Sequence, residues 1–399
     1  MAATGVSMPT EAPRERPEWV ENLAGQALAL VVALLIALLL GSLIIFAYGE
    51  SPATVYGAIF HFGFGSKDGF GYVLTEATPL IFSALAVAVC FKGGMFNIGV
   101  EGQYLVGMVT ASWAALKLDF LPGPLLMWTA ILFGMLGGIA FALVPAILKV
   151  KTGAHEVVTT IMMNGIAVSL VAWAINGPLK FTTQEGTHNV NLRTDPFMAN
   201  ARIPDLGHMF GIRSAVHLSW LFIGALFVAA LIWFVLKRMR LGYEARAVGA
   251  SAGSARAGGI SIGNVQIQLF VLSGALAGLV GMQQLLADKN YLPIGYEAAL
   301  GFTGIAVAFL GQNSAPGIVF AAILWGVLAR GETAVQIQTD VPREFVIILQ
   351  GILIISVVVT YQLAKRRLLA RQLQRAASTE DFEDSAATLD TEAMAKEDR

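Results

Sequence analysis

Apolar runs of about 20 residues recur along almost the whole chain, and this repetition narrows the choice of fold more than any single residue does. A run of that length matches the roughly 30 Å hydrocarbon core of a bilayer as a helix, whereas a membrane strand needs only about ten. The first run, Gln26 to Phe46, is read as an uncleaved span, because a secretory signal has a shorter apolar region and a cleavable small-residue site after it. Further runs lie near 77–91, 95–117, 123–148, 157–177, 216–236, 265–286, 296–311, 316–334 and 344–362, which makes ten spans. Only 13% of the 399 residues are charged and 56% are hydrophobic, against about a quarter charged in soluble domains. The chain therefore reads as an all-α polytopic membrane protein. Residues 49–76, amphipathic and aromatic with Glu50, Lys67, Asp68 and Glu76, read as an external loop or a helix lying on the interface.

Short loops rich in Lys and Arg stay cytoplasmic. The basic clusters are Lys149 and Lys151, then Lys237, Arg238, Arg240, Arg246 and Arg256, then Lys365, Arg366, Arg367, Arg371 and Arg375. With an N-terminus inside, ten spans place all three clusters, and Lys92, on the inner side. Residues 1–24 then form a disordered cytoplasmic arm, 25–365 the transmembrane domain, 178–215 an external loop and 366–399 a cytoplasmic tail, its end from Glu380 to Arg399 acidic and disordered. The single cysteine, Cys90, excludes an internal disulfide and a thiolate metal cluster.

One stretch breaks the apolar pattern. Phe91 to Gly107, F-K-G-G-M-F-N-I-G-V-E-G-Q-Y-L-V-G, places Lys92, Asn97, Glu101 and Gln103 inside or at the edge of the bilayer, where a carboxylate costs roughly 2.5–3.5 kcal/mol at a helix centre. Such groups mark the handling of something polar. Ile98-Gly99-Val100-Glu101 is echoed by Ile294-Gly295-Tyr296-Glu297, each opening a Gly-rich span at an equivalent place in two halves of five spans. An odd number per half inverts one half against the other, a common transporter plan with the solute path between the halves. Glu101 and Glu297 are then related polar points on that path. The competing reading is that both carboxylates only cap helix N-termini. Gly134 with Gly138, and Gly274 with Gly278, have the four-residue spacing of close helix packing.

A second informative stretch is Leu241 to Asn264, rich in Ala and Gly and too weakly apolar to span. It reads as a cytoplasmic loop holding a short helix pressed into a partner's groove, with Glu244, Arg246 and Arg256 at the rim; the plainer reading is a basic loop that only sets topology. Enzyme readings find no support. G-x-S-x-G occurs at Gly249–Gly253 and Gly259–Gly263, but without the strand-to-helix turn and the positioned His and acid of a nucleophile elbow. His155-Glu156 lacks a second His four residues on. Neither a cofactor nor a metal is implied, and the basic clusters sit beside spans rather than in a nucleic-acid surface.

Three separated motifs carry a family resemblance: F-N-I-G-V-E-G-Q at 96–103, H-E-V-V-T-T-I-M-M-N at 155–164, and R-A-V-G at 246–249 followed by A-G-G-I at 257–260. Together they resemble the permease subunits of bacterial ABC importers of the branched-chain amino acid, simple sugar and nucleoside group, over about residues 25–365. The first motif and the long termini look most like the larger permease of nucleoside importers. The resemblance implies a permease dimer, with itself or with a similar permease, in the bacterial inner membrane. It also implies two ATPase subunits inside and an extracytoplasmic substrate-binding lipoprotein outside. Glu244, Arg246, Ala247, Val248, Gly249 and Arg256 would lie where the family's coupling loop meets the ATPase. The chain departs from the family where Ser251 and His155 stand in place of a frequent Asn.

The chain has no G-x-x-x-x-G-K-[ST] motif, so ATP would be hydrolysed by the partner. Phe96, Asn97, Glu101, Gln103, Asn164, Tyr296 and Glu297 are the expected lining of the path, offering aromatic surface to a base and polar atoms to ribose hydroxyls. The rival reading is an ion-coupled secondary transporter or channel. Such a carrier is expected to hold acids well inside several spans, whereas Glu101 and Glu297 lie at span beginnings and Asp288 in a loop.

Overall fold

A computed structural model describes residues 18–181, 192–296, 299–339, 341–342, 344–360, 362–363 and 366. The regular elements are α1 (Glu18–Ala47), α2 (Pro52–Phe64), α3 (Lys67–Lys92), α4 (Val100–Lys117), α5 (Gly123–Thr152), α6 (Glu156–Asn176), α7 (Leu221–Arg238), α8 (Arg240–Ala250), α9 (Ala252–Ala257), α10 (Ile262–Val280), a π-helical segment (Gln283–Lys289), α11 (Leu300–Leu310), α12 (Ala315–Gln338) and α13 (Glu344–Thr360). The all-helical membrane architecture expected from the apolar runs is what the chain adopts. Two compact units divide it, one from Ile44 to Gln350, the other made of the stretch ending at Leu43 and the stretch beginning at Gly351. Helices α2 to α12 lie wholly within the first unit.

The count of ten spans is not reproduced among the described residues. Six helices are long and apolar enough to cross a bilayer alone, seven if the bent pair Val31–Ala47 and Pro52–Phe64 is one span, while α11 and α13 are shorter apolar helices. Helix α4 fails the apolar criterion for a physical reason. It packs against α5, α6, α10 and α11, all but four of its 18 residues are buried, and its polar groups meet protein instead of lipid. By contrast Leu125, Trp128, Leu132 and Leu136 of α5, and Phe227, Leu231 and Phe234 of α7, face outward, as lipid-facing positions do.

Several boundaries shift for local reasons. Residues 67–76 belong to α3 and not to a loop, because Ser66 caps that helix, its Oγ accepting from the Gly69 N–H at 2.9 Å. Asp68 is fastened in the same turn by Arg213, whose backbone N–H donates to Oδ1 at 2.9 Å while Nε lies 3.0 Å from Oδ2. Helix α1 begins at Glu18, inside the arm expected over 1–24, and most of the 366–399 tail lies outside the described residues. Within 178–215, the described part folds back along the π-helical segment and the stretch after it. There the Thr194 N–H donates to the Leu292 carbonyl at 3.1 Å, Phe197 to Asn290 at 2.8 Å and Ile203 to Leu286 at 2.9 Å. Arg193 is wedged over the rings of Phe181 and Tyr291, 5.1 and 4.7 Å from their centroids.

The two glycine pairs pack against each other. A Cβ on Gly278 would lie 2.2 Å from the Gly134 carbonyl oxygen, one on Gly138 would lie 2.2 Å from that of Gly274, and Gly107 of α4 meets both Gly134 and Gly278. Three helices thus converge backbone to backbone at one point, as small residues in membrane helices permit. Gly278→Ala is expected to cost about 1–3 kcal/mol through overpacking and to lower the melting temperature of the solubilised protein. Gly224→Ala on α7, where a methyl meets open space, is expected to leave it unchanged or raised. Equal melting of the two variants would exclude this convergence.

Candidate functional site

The stretch between α3 and α4 is built around Asn97. Its Oδ1 accepts from the Gly99 N–H at 2.9 Å, a local side-chain turn that aims the chain into α4. Its Nδ2 donates to Ser273 Oγ on α10 at 2.9 Å and to Gln103 Oε1 at 3.1 Å, and Gln103 Nε2 donates back to Oδ1 at 3.2 Å. Ser273 in turn donates to the Ala86 carbonyl of α3 at 2.7 Å. Asn97 and Gln103 are each 1% exposed. Asn164 of α6 completes the collar: Oδ1 accepts from the Gly102 N–H at 2.9 Å and Nδ2 donates to the Ile98 carbonyl at 3.0 Å. A helix start has N–H groups without intrahelical partners, and here two asparagines serve the Gly99 and Gly102 N–H groups from inside the protein, one of them held by Gln103.

Glu101 caps a helix, but not its own. Oε1 accepts from the Ala299 N–H and Oε2 from the Gly301 N–H, both at 2.8 Å, while Tyr104 Oη donates to Oε1 at 3.2 Å. Its carboxylate therefore closes the N-terminus of α11, where a negative charge complements both the orphan N–H groups and the helix dipole. Gly301 makes the approach possible, since a Cβ there would lie 2.4 Å from the Glu101 backbone nitrogen. Ala299 holds φ at 72°, a left-handed conformation that costs a non-glycine residue about 1–2 kcal/mol; its bond to the carboxylate offsets that cost.

The other expected path residues are placed differently. Phe96 is half-buried in a cluster of rings, 6.2 Å from Phe91 and 6.1 Å from Phe309 by centroids. Tyr296 is half-buried in the stretch leading to α11, and Glu297 lies outside the described residues. The echo is therefore imperfect: α4 opens at Val100 within its motif, whereas α11 opens at Leu300, four residues past Tyr296. Sequence reasoning missed Ser273, Tyr104 and the trans cap on α11; only Tyr104, three residues after Glu101 on one helix, has a spacing that could have found it.

Leu241 to Asn264 forms two short helices and the start of α10. On α8, Ala245 and Val248 are buried while Arg246 and Gly249 face outward. Arg246 donates to the Leu236 carbonyl, and Glu244 pairs with Arg240 at 2.6 Å. Ala247 is half-buried, and Arg256 is exposed on α9. Ser251 caps α9 by accepting from the Ser254 N–H at 3.3 Å, a task at which Ser equals Asn. His155 likewise caps α6, accepting from the Val157 N–H at 3.3 Å, and the adjacent Glu156 pairs with Lys149 at 2.6 Å. Gly249 and Gly94 meet backbone to backbone: a Cβ on Gly249 would lie 2.4 Å from the Lys92 carbonyl oxygen, one on Gly94 3.2 Å from Gly249 Cα. Gly94 also needs its left-handed φ of 71°. The α8–α9 pair thus rests directly on the stretch that leads into α4.

At the opposite end of α3, a cavity of about 120 Å³ opens between α3, the stretch 216–219 and the π-helical segment, with Leu300 at its edge.

Loss of the trans cap has an expected order of effects. Glu101→Gln removes the charge from two backbone bonds worth about 1.5–3 kcal/mol each, and Tyr104→Phe removes one neutral donor worth about 0.5–1.5 kcal/mol. Thermal melting is expected to fall more for Glu101→Gln; the reverse order would show that the carboxylate does not hold α11.

Residues 69–358 match the family described as "Branched-chain amino acid transport system / permease component". A guanosine ABC transporter permease protein of Bacillus subtilis is 36% identical over 335 residues, 83% of this chain and 92% of its own. A nucleoside ABC transporter permease protein of Lactococcus lactis is 31% identical over 343 residues, 86% and 93% of the two chains. A glucose ABC transporter permease protein of Haloferax volcanii is 32% identical over 342 residues, 84% and 88%. With most of its length matched and its apolar helices arranged around a buried polar one, this chain belongs to the family of branched-chain amino acid transport system permease components and is a multi-pass membrane protein.

Proposed function

We propose that the chain is the translocation subunit of an ATP-driven nucleoside importer in a bacterial inner membrane, with both termini cytoplasmic. The observation that carries this reading is the 36% identity to a guanosine permease across 92% of that protein. In this reading an extracytoplasmic binding lipoprotein delivers the solute, a second permease completes the path, and separate ATPase subunits dock on α8 and α9. Lipid surrounds the remaining surface. Arg246, Gly249 and Arg256, exposed on those helices, would meet the ATPase, with Glu244, Ala247 and Val248 supporting them.

Work would travel by contact. A push on α8 reaches Lys92 and Gly94 through Gly249, then the Asn97 collar, then α4, and through Glu101 the N-terminus of α11. Rigid-body rocking of these helices would open the path to one side at a time. Asn97, Gln103, Asn164 and Glu101 would set the position of the moving helices, while Phe96, Tyr296 and Glu297 would line the path a solute takes. The identity to a glucose permease favours simple sugars as a second reading.

Uptake of radiolabelled guanosine by cells with and without this chain, competed by unlabelled nucleosides and sugars, separates the two. Competition by nucleosides alone supports the first reading and competition by glucose the second. Uptake by the chain alone in vesicles under an ion gradient would replace both with a secondary carrier. Asn97→Ala and Glu101→Ala are each expected to lower uptake at least about tenfold, if the loss approaches 1.4 kcal/mol of positioning, while the ATPase still co-purifies; normal uptake by both variants would remove them from the mechanism.

A further inference from the structure

The cavity at the end of α3 remote from α8 has a chemistry of its own. Its polar lining includes Tyr72, Thr75, Glu76, His217, Gln284 and Asp288. Three of these come from successive turns of one face of α3, two from the π-helical segment and one from the stretch that folds back over it. Two carboxylates at one apolar-walled opening in a membrane domain are costly and point to function. The local backbone is also unusual. A π-helical turn is rare and frequently lies at a functional site, and His217 holds a φ of 54°, a conformation non-glycine residues seldom adopt.

The walls are held in place. Gln283 donates to the His217 carbonyl at 2.8 Å and accepts from Ser219 Oγ at 2.6 Å. Asp288 Oδ1 lies 3.4 Å from His217 Nδ1, and Oδ2 lies 3.1 Å from Lys289 Nζ. Thr75 Oγ1 donates to the Gly71 and Val216 carbonyls. Arg330 of α12 sits over the Tyr72 ring, 4.2 Å from its centroid, and fixes that ring by a cation–π contact.

We infer that this cavity is a solute subsite within the single permease chain, and that it takes the sugar ring of its ligand through vicinal hydroxyls. The inference rests on the reading of the chain as a nucleoside or sugar permease. Size limits what enters: about 120 Å³ is less than the roughly 150 Å³ cavity that holds one benzene ring, so the hydroxyl edge of a sugar enters and a purine with its ribose does not. Chemistry agrees. Carboxylates of Glu76 and Asp288 accept from neighbouring hydroxyls, the Gln284 amide can donate or accept, and the Tyr72 ring offers a face to the C–H side of a sugar. Leu300, the first residue of α11, lies at the cavity edge, so an occupied cavity touches the helix that Glu101 caps.

Saturation-transfer NMR on the full-length chain, purified in native-lipid nanodiscs with whatever co-purifies, tests this with inosine, methyl β-D-ribofuranoside and 2′,3′-dideoxyinosine as probes. Ribose protons of inosine are expected to receive more saturation than base protons, the methyl riboside to compete, and the dideoxy compound to bind at least about tenfold more weakly, as hydroxyl-reading sites reject analogues lacking the hydroxyl. Glu76→Gln combined with Asp288→Asn is expected to weaken inosine at least tenfold, and Gln284→Leu several-fold should the double variant fail to fold. Saturation confined to the base, equal binding of the dideoxy analogue, or unchanged binding by folded variants would overturn the inference. A protein that imports nucleosides yet contacts only the base overturns this subsite alone; one that contacts the sugar yet imports no nucleoside overturns the nucleoside reading alone.

Discussion

The two backbone bonds that Glu101 accepts from Ala299 and Gly301, both 2.8 Å, tie the start of one helix to the start of another across about 200 residues of sequence. A carboxylate inside a membrane domain is tolerable only when its charge is answered, and here the answer is the N-terminus of α11. The arrangement binds both ways. Helix α11 is too short to cross a bilayer alone, and its first turn would leave bare N–H groups in a low-dielectric interior; α4 would bury an unanswered charge. Each helix supplies what the other lacks.

Around that joint, two kinds of contact do different work. The convergence of Gly107, Gly134, Gly138, Gly274 and Gly278 lets α4, α5 and α10 approach until their backbones touch, giving a dense, apolar, non-directional contact. The Asn97, Gln103, Ser273 and Asn164 collar is directional and fixes how α4 is rotated and where it begins. Dispersion alone allows many rotations of packed helices, and a satisfied polar network selects one of them.

Much of this was legible in the sequence. Helix positions followed from apolar runs because bilayer thickness imposes a length, and α12, read as 316–334, is found at 315–338. The stretch 91–107 announced itself because Asn97, Glu101 and Gln103 are out of place in an apolar run. What those residues do was less visible. A buried Asn reads the same whether it meets a solute or Ser273 176 residues away, and the partner of Glu101 lies in another helix with no spacing rule to connect them. The capping alternative for Glu101 had the right chemistry and the wrong helix. Helix α4 stands outside a count made by apolar length because hydropathy measures suitability for lipid, and α4 is enclosed by protein. The cavity residues were seen only singly, as Glu76 in a stretch read as an external loop or an interfacial helix and Asp288 in a loop, since a π-helical turn and a returning loop bring them together.

The contact between Gly94 and Gly249 carries one more implication. Where two side chains meet, rotamer changes can absorb a small displacement before the backbone moves. Two glycines have nothing to yield, so the joint behaves as a bearing without slack, and even a sub-ångström shift of α8 arrives whole at the base of α4. A methyl on Gly249 would act as a shim, changing the resting angle between the two elements, whereas one on Gly94 would also strain its left-handed backbone.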